Sequence, residues 1–88
     1  MSWKIQIDNS CEKTLSKLDK QSQTLIVNYL KKITNQSNPK NLGKPLRNRL
    51  KGLWRYRVNK FRIICRIRDK ELIILVLKIA KRDIIYND

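Results

Sequence analysis

Residues 53–68 read LWRYRVNKFRIICRIR. Trp54, Tyr56 and Val58 alternate with Arg55 and Arg57, the period-two pattern of a half-buried strand. After Asn59-Lys60 the alternation resumes, with Phe61, Ile63, Cys65 and Ile67 set against Arg62, Ile64, Arg66 and Arg68. Two residues suffice for a tight turn, and Asn tolerates the positive φ such a turn needs. Leu53–Val58 and Phe61–Arg68 are therefore predicted to form a β-hairpin. Asp69-Lys70 reads as a second two-residue link, leading into Glu71–Ile79. That last run is apolar on both faces, which predicts a central strand covered on both sides.

Working back towards the N-terminus, Leu46–Gly52 carries Arg47, Asn48, Arg49 and Lys51 and reads as a short extended lead-in to the sheet. Asn35–Pro45 gathers Asn, Ser, Pro and Gly and is predicted to be a loop. Ile26, Tyr29, Leu30 and Ile33 recur at helical spacing behind a possible cap at Ser22. Cys11, Leu15 and Leu18 share a face of an earlier helix capped by Asn9 or Ser10. The short link Asp19–Gln21 makes the two helices a hairpin. Trp3, Ile5 and Ile7 alternate as a first strand. The expected fold is α+β: strand, helical hairpin, three-strand antiparallel meander and a short basic tail, with the helices on one face of a small sheet. Residues 1–88 read as one domain with no repeat or linker.

Composition narrows the function. The 88 residues carry 21 Lys and Arg against 7 Asp and Glu, for a formal charge of +14. Such a surface attracts polyanions: nucleic acid, an anionic membrane or an acidic protein. The 41 % hydrophobic content supports a small core and argues against a disordered basic tail. There is no His, which removes the commonest general base and zinc ligand. Cys11 and Cys65 stand far apart among apolar positions and read as buried, reduced thiols. The first ten residues lack an apolar signal core, and the longest apolar run, Leu72–Leu77, is too short to span a bilayer. A cytoplasmic protein is expected, with no cofactor, no metal and no membrane partner.

The hairpin register sets Arg57 opposite Arg62, with Arg55 two residues along on the same face. Like charges opposed across a sheet destabilise it by a few tenths to about 1 kcal/mol. A bound anion would offset that repulsion. The last strand runs back towards Arg62, so Lys81, Arg82 and Tyr86 are expected to converge on the same face. Guanidinium forks suit phosphate oxygens, and a tyrosine ring can stack on a base. Basic sheet faces also occur without purpose, and Tyr86 reads equally well as a plug over the core.

The runs Leu50-Lys51-Gly52-Leu53-Trp54-Arg55-Tyr56-Arg57-Val58 and Phe61-Arg62-Ile63-Ile64-Cys65, followed by Ile79-Ala80-Lys81-Arg82 and Tyr86, resemble the RelE/ParE toxin superfamily, and within it the RelE branch. The resemblance extends over nearly the whole chain, because the order of elements also agrees. It implies a toxin of a type II toxin–antitoxin system. Its expected activity is that of a ribosome-dependent endoribonuclease cutting mRNA in the ribosomal A site without metal and leaving a 2′,3′-cyclic phosphate. It also implies an acidic, RelB-like antitoxin. By position Arg55, Arg57, Arg62, Arg82 and Tyr86 match the family's functional residues, and Lys81 is the candidate proton carrier. Arg47, Arg49, Lys51, Arg66 and Arg68 are expected to touch RNA or the ribosome more generally. The antitoxin is expected to cover the basic surface and an apolar strip at Ile64, Ile73 and Leu75.

Three departures stand out. Relatives often read Gly-Asp where this chain has Asn59-Lys60, Gly-His-Arg where it has Ala80-Lys81-Arg82, and Lys where it has Arg55 and Arg57. Arginine effectively never deprotonates, so neither arginine is a conventional base. Two other readings remain open: a ParE-like toxin acting on DNA gyrase, and a basic RNA- or ribosome-binding module without catalysis.

Overall fold

The computed structural model describes residues 3–81. Within them the chain runs β1 (Lys4–Ile7), α1 (Asn9–Lys17), α2 (Lys20–Thr34), β2 (Lys44–Pro45), β3 (Leu53–Val58), β4 (Phe61–Arg68) and β5 (Ile73–Lys81). Single 3₁₀ turns occupy Pro39–Leu42 and Asn48–Leu50. The strands form one sheet in the order β1-β5-β4-β3-β2. β1 lies parallel to β5, and every other pairing is antiparallel. This is the α+β arrangement expected, enlarged by the two-residue edge strand β2.

Both helices start earlier than expected, α1 at Asn9 and α2 at Lys20, three residues ahead of a start behind Ser22. Both are capped by aspartate, and the link between them is Leu18–Asp19 rather than Asp19–Gln21. Asp8 accepts the Ser10 amide at 3.1 Å. Asp19 accepts the Ser22 amide at 3.1 Å and the Ser22 hydroxyl at 2.7 Å. Ser22 thus sits inside the helix as the donor, and Asn9 and Ser10 are helical. A carboxylate takes both groups and also opposes the positive end of the helix dipole, so aspartate wins over its hydroxyl and amide neighbours. Those bonds hold both carboxyls below the usual carboxylate range. α2 buries Ile26, Leu30 and Ile33 against the sheet, as its spacing predicts. α1 lies over β5.

The loop before the sheet is more ordered than its composition suggests. Asn38 caps the Pro39–Leu42 turn by accepting the Lys40 amide at 3.1 Å. Tyr56, fully buried, donates its hydroxyl to the Pro39 carbonyl at 2.8 Å. Gly43 passes so near that an added Cβ would meet the Tyr56 ring at 2.9 Å. Lys44–Pro45 then pairs with Trp54–Arg55 as β2. The extended lead-in expected at Leu46–Gly52 is instead a 3₁₀ turn. Positive φ values at Asn48 (55°) and Gly52 (93°) fold it back over the sheet. Leu46 and Ile64 bury each other there, with Leu50, Leu53 and Ala80 packed around them. Ile64 therefore belongs to a second, smaller core and is not part of an open apolar strip.

The first hairpin has the predicted register, Val58 opposite Phe61, with Asn59 at φ 54°. The second differs. Arg68 pairs with Ile73, so the connection is Asp69–Leu72 and β5 starts two residues late. Leu72 takes φ 56° and packs on the main core. That burial offsets an unfavourable backbone conformation for a branched residue. β5 is not covered on both sides: Ile74, Val76 and Ile79 are buried, whereas Ile73, Leu75 and Leu77 are half-exposed.

Candidate nucleic-acid interface

Residues paired across a sheet share a face. Tyr56 with Ile63, Trp54 with Cys65 and Val58 with Phe61 point towards the helices. Arg57 with Arg62, and Arg55 with Ile64, point the other way. Lys44 of β2 is opposite Arg55 and extends the same face. The expected trio Arg55, Arg57 and Arg62 is thus brought together on the side of the sheet without helices. Arg57 is exposed, Arg55 is half-exposed, and Arg62 is half-buried with its Nε closed off from solvent.

The last strand joins this face, though not through the lysine expected. The register slips between Ile64 and Cys65, which pair with Lys78 and Val76 and leave Leu77 as an extra residue in β5. Before this bulge, Ile74 and Val76 face the core. After it, Ile79 faces the core and Lys78 emerges beside Ile64 among the arginines. Lys81 is opposite Phe61, so it leaves the sheet on the helix side, and Ala80 takes the place opposite Arg62. Lys81 is therefore removed from the expected constellation by strand parity. Arg82 and Tyr86 lie outside the described residues. Lys44 and Lys78 join the face without having been singled out from the sequence. The bulge conceals Lys78, and a two-residue strand conceals Lys44.

Arg66 and Arg68 share the arginine face but run towards the far turn. There Arg68 reaches Glu71 at 3.7 Å, and Asp69 is held by Lys40 at 2.9 Å. An open depression at that end is lined by Gly52, Ile67, Lys70, those two arginines and both carboxylates. The carboxylates offset much of its charge, so it suits an anion less well than the Arg57–Arg62 end. Arg47, Arg49 and Lys51 are exposed on the turn that folds over Leu46 and Leu50.

The remaining reactive side chains are structural. Burial pushes the Cys65 thiol up to about 12 and raises Cys11 as well. Both are buried free thiols, as expected, and neither is a nucleophile at neutral pH. Among the described residues no three His, Cys, Asp or Glu side chains stand together as a metal site. No helix among them is long and apolar enough to cross a membrane.

The family model for the ParE toxin of type II toxin–antitoxin systems, parDE, matches residues 5–86. The chain belongs to the RelE/ParE toxin superfamily. It is therefore a toxin of the type II toxin–antitoxin class. No curated protein matches the toxin's sequence. Several solved structures share its fold. A chain of the RelBE toxin–antitoxin complex from Mycobacterium tuberculosis matches with TM-score 0.84 at 23 % identity, covering 93 % of the toxin and 100 % of that chain. A chain of the archaeal RelE–RelB complex from Pyrococcus horikoshii gives TM-score 0.75 at 20 % identity, covering 97 % and 100 %. The isolated RelE toxin of Escherichia coli gives 0.74 at 13 % identity, covering 91 % and 84 %. These likenesses establish the fold of the toxin, two helices against an open, mostly antiparallel sheet.

Proposed function

We propose that this toxin is a ribosome-dependent endoribonuclease of the RelE kind, cutting mRNA in the ribosomal A site and so arresting translation. The observation that carries this reading is the Arg57–Arg62 pair on the sheet face away from the helices, flanked by Arg55. In the reaction the RNA 2′-oxygen attacks the adjacent phosphorus and loses its proton. The bond from phosphorus to the 5′-oxygen breaks, and that oxygen gains a proton. A 2′,3′-cyclic phosphate and a 5′-hydroxyl remain. Arg57 and Arg62 suit the charge that builds on the phosphoryl oxygens. Arg55 and the surrounding cations suit the flanking strand. Arg82 and Tyr86 keep the roles that the family resemblance implies. An acidic RelB-like antitoxin fits the excess of cations, and the solved RelE-fold chains in complexes are paired with RelB proteins. A cytoplasmic setting follows from a ribosomal target.

Inducible expression with primer extension on a reporter mRNA tests the reading. Cuts should require translation of the reporter, persist in EDTA and end in cyclic phosphate. Cuts that chelation abolishes would overturn the metal-free mechanism. The name of the matching family favours a second reading, inhibition of DNA gyrase. Loss of supercoiling by purified gyrase, with reporter mRNA left intact, would support that reading and exclude the first.

A further inference from the structure

The role of Lys78 follows from strand parity. Without the extra residue at Leu77, a side chain two positions beyond the buried Val76 would also point into the core, where a charged lysine is costly. The bulge reverses the parity, so that Ile79 fills the core and Lys78 stands exposed on the arginine face. Bulges commonly re-aim a side chain beside a functional site. Two rows of residues result. Arg57, Arg62 and Ala80 form one, and Arg55, Ile64 and Lys78 form the next. Ala80 leaves the position beside Arg62 without a long side chain, and Lys78 is diagonal to Arg62, at about 7–8 Å between backbones. Ala80 packs on the Leu46–Ile64 core, so among the described residues Lys78 is the cation of β5 nearest Arg62 on this face.

We propose that Lys78 grips the phosphate next to the one held by Arg57 and Arg62, fixing the direction in which the RNA strand crosses the sheet. This rests on the ribonuclease reading above. Lys78 acts as a point charge on a flanking phosphate and takes no part in proton transfer. Its removal weakens binding and leaves the chemical step intact.

The experiment measures single-turnover cleavage of end-labelled mRNA on programmed bacterial ribosomes, with toxin concentration and potassium chloride varied. Lys78→Ala should raise the half-saturating concentration about two- to fivefold. Its slope of log affinity against log salt should be shallower by about 0.7, one single-strand phosphate contact. Its rate at saturation should match wild type. Lys78→Gln, which keeps the aliphatic stem, should behave alike, and Lys78→Arg should restore both affinity and slope. Lys31→Ala, the same charge loss on the exposed end of α2, should leave the slope unchanged. Wild-type toxin that makes no cuts overturns the ribonuclease reading and this inference with it. Wild-type cutting with a Lys78→Gln slope equal to wild type, or equal to that of Lys31→Ala, overturns the Lys78 assignment alone.

Discussion

Arg57 stands directly opposite Arg62 across β3 and β4, one residue pair from the Asn59-Lys60 turn. Two guanidiniums at this spacing repel, and the sheet holds them side by side on its open face.

Replacing the exposed member of the pair should therefore separate stability from activity. Arg57→Ala should leave the unfolding free energy from urea titration unchanged or raise it, by up to about 1 kcal/mol. Cleavage at saturating ribosomes should fall about 10²–10³-fold. A variant that is both less stable and fully active would make the pair a structural feature.

Arg62→Ala and Arg66→Ala should differ although both lie on one face of β4, with Ile64 between them. Arg62→Ala should nearly abolish cleavage by ribosome-bound toxin. Arg66→Ala and Arg68→Ala should weaken binding modestly and leave the bound rate close to wild type. Four-arm single-turnover assays, with Arg57→Ala as the reference, check the split.

The Tyr56 hydroxyl anchors the preceding loop through the Pro39 carbonyl. Tyr56→Phe leaves that carbonyl without its donor and should cost about 1–3 kcal/mol. Gly43→Ala forces a methyl against the same ring, 2.9 Å away, and should cost about 1–3 kcal/mol by overpacking. Urea unfolding measures both. Because they strain one contact, the double variant should lose less than the sum of the two.

Stability should decline at both ends of the pH scale for different reasons. The Asp8 and Asp19 carboxyls are lowered on folding by their Ser10 and Ser22 bonds. Their contribution is present above the unfolded value near 4 and is lost as acid protonates them. Asp19→Asn, which caps without titrating, should show a flatter acid limb. Cys65 is raised by burial to about 12, so its contribution holds below about 8.5 and fades as pH climbs towards 12. Cys65→Ala should flatten that alkaline limb in the same unfolding series.

The main meander and the Arg57–Arg62 pairing were legible because residues 53–68 alternate strictly, so strand, face and register follow from one pattern. The burial of Ile26, Leu30 and Ile33 was legible for the same reason at helical period. Leu72–Leu77 is apolar throughout and carries no alternation, so neither the start of β5 nor the bulge at Leu77 can be read from it. That single hidden residue moved Lys78 onto the arginine face and Lys81 off it. β2 and the Leu46–Ile64 core escaped because they depend on contacts between distant segments, with too few residues to set up a local pattern.

The parallel pairing of β1 with β5 also sets a timetable. Ile5 and Ile7 find their neighbours Ile74 and Val76 only after nearly every other described residue has been synthesised. The sheet therefore closes last, through its most sequence-distant contact, and such contacts make folding slow. A ribosome making this toxin carries its own product unfinished until β5 has emerged. Closure of the whole sheet thus waits on the last strand, whereas the β3–β4 hairpin that sets Arg57 beside Arg62 needs only local contacts.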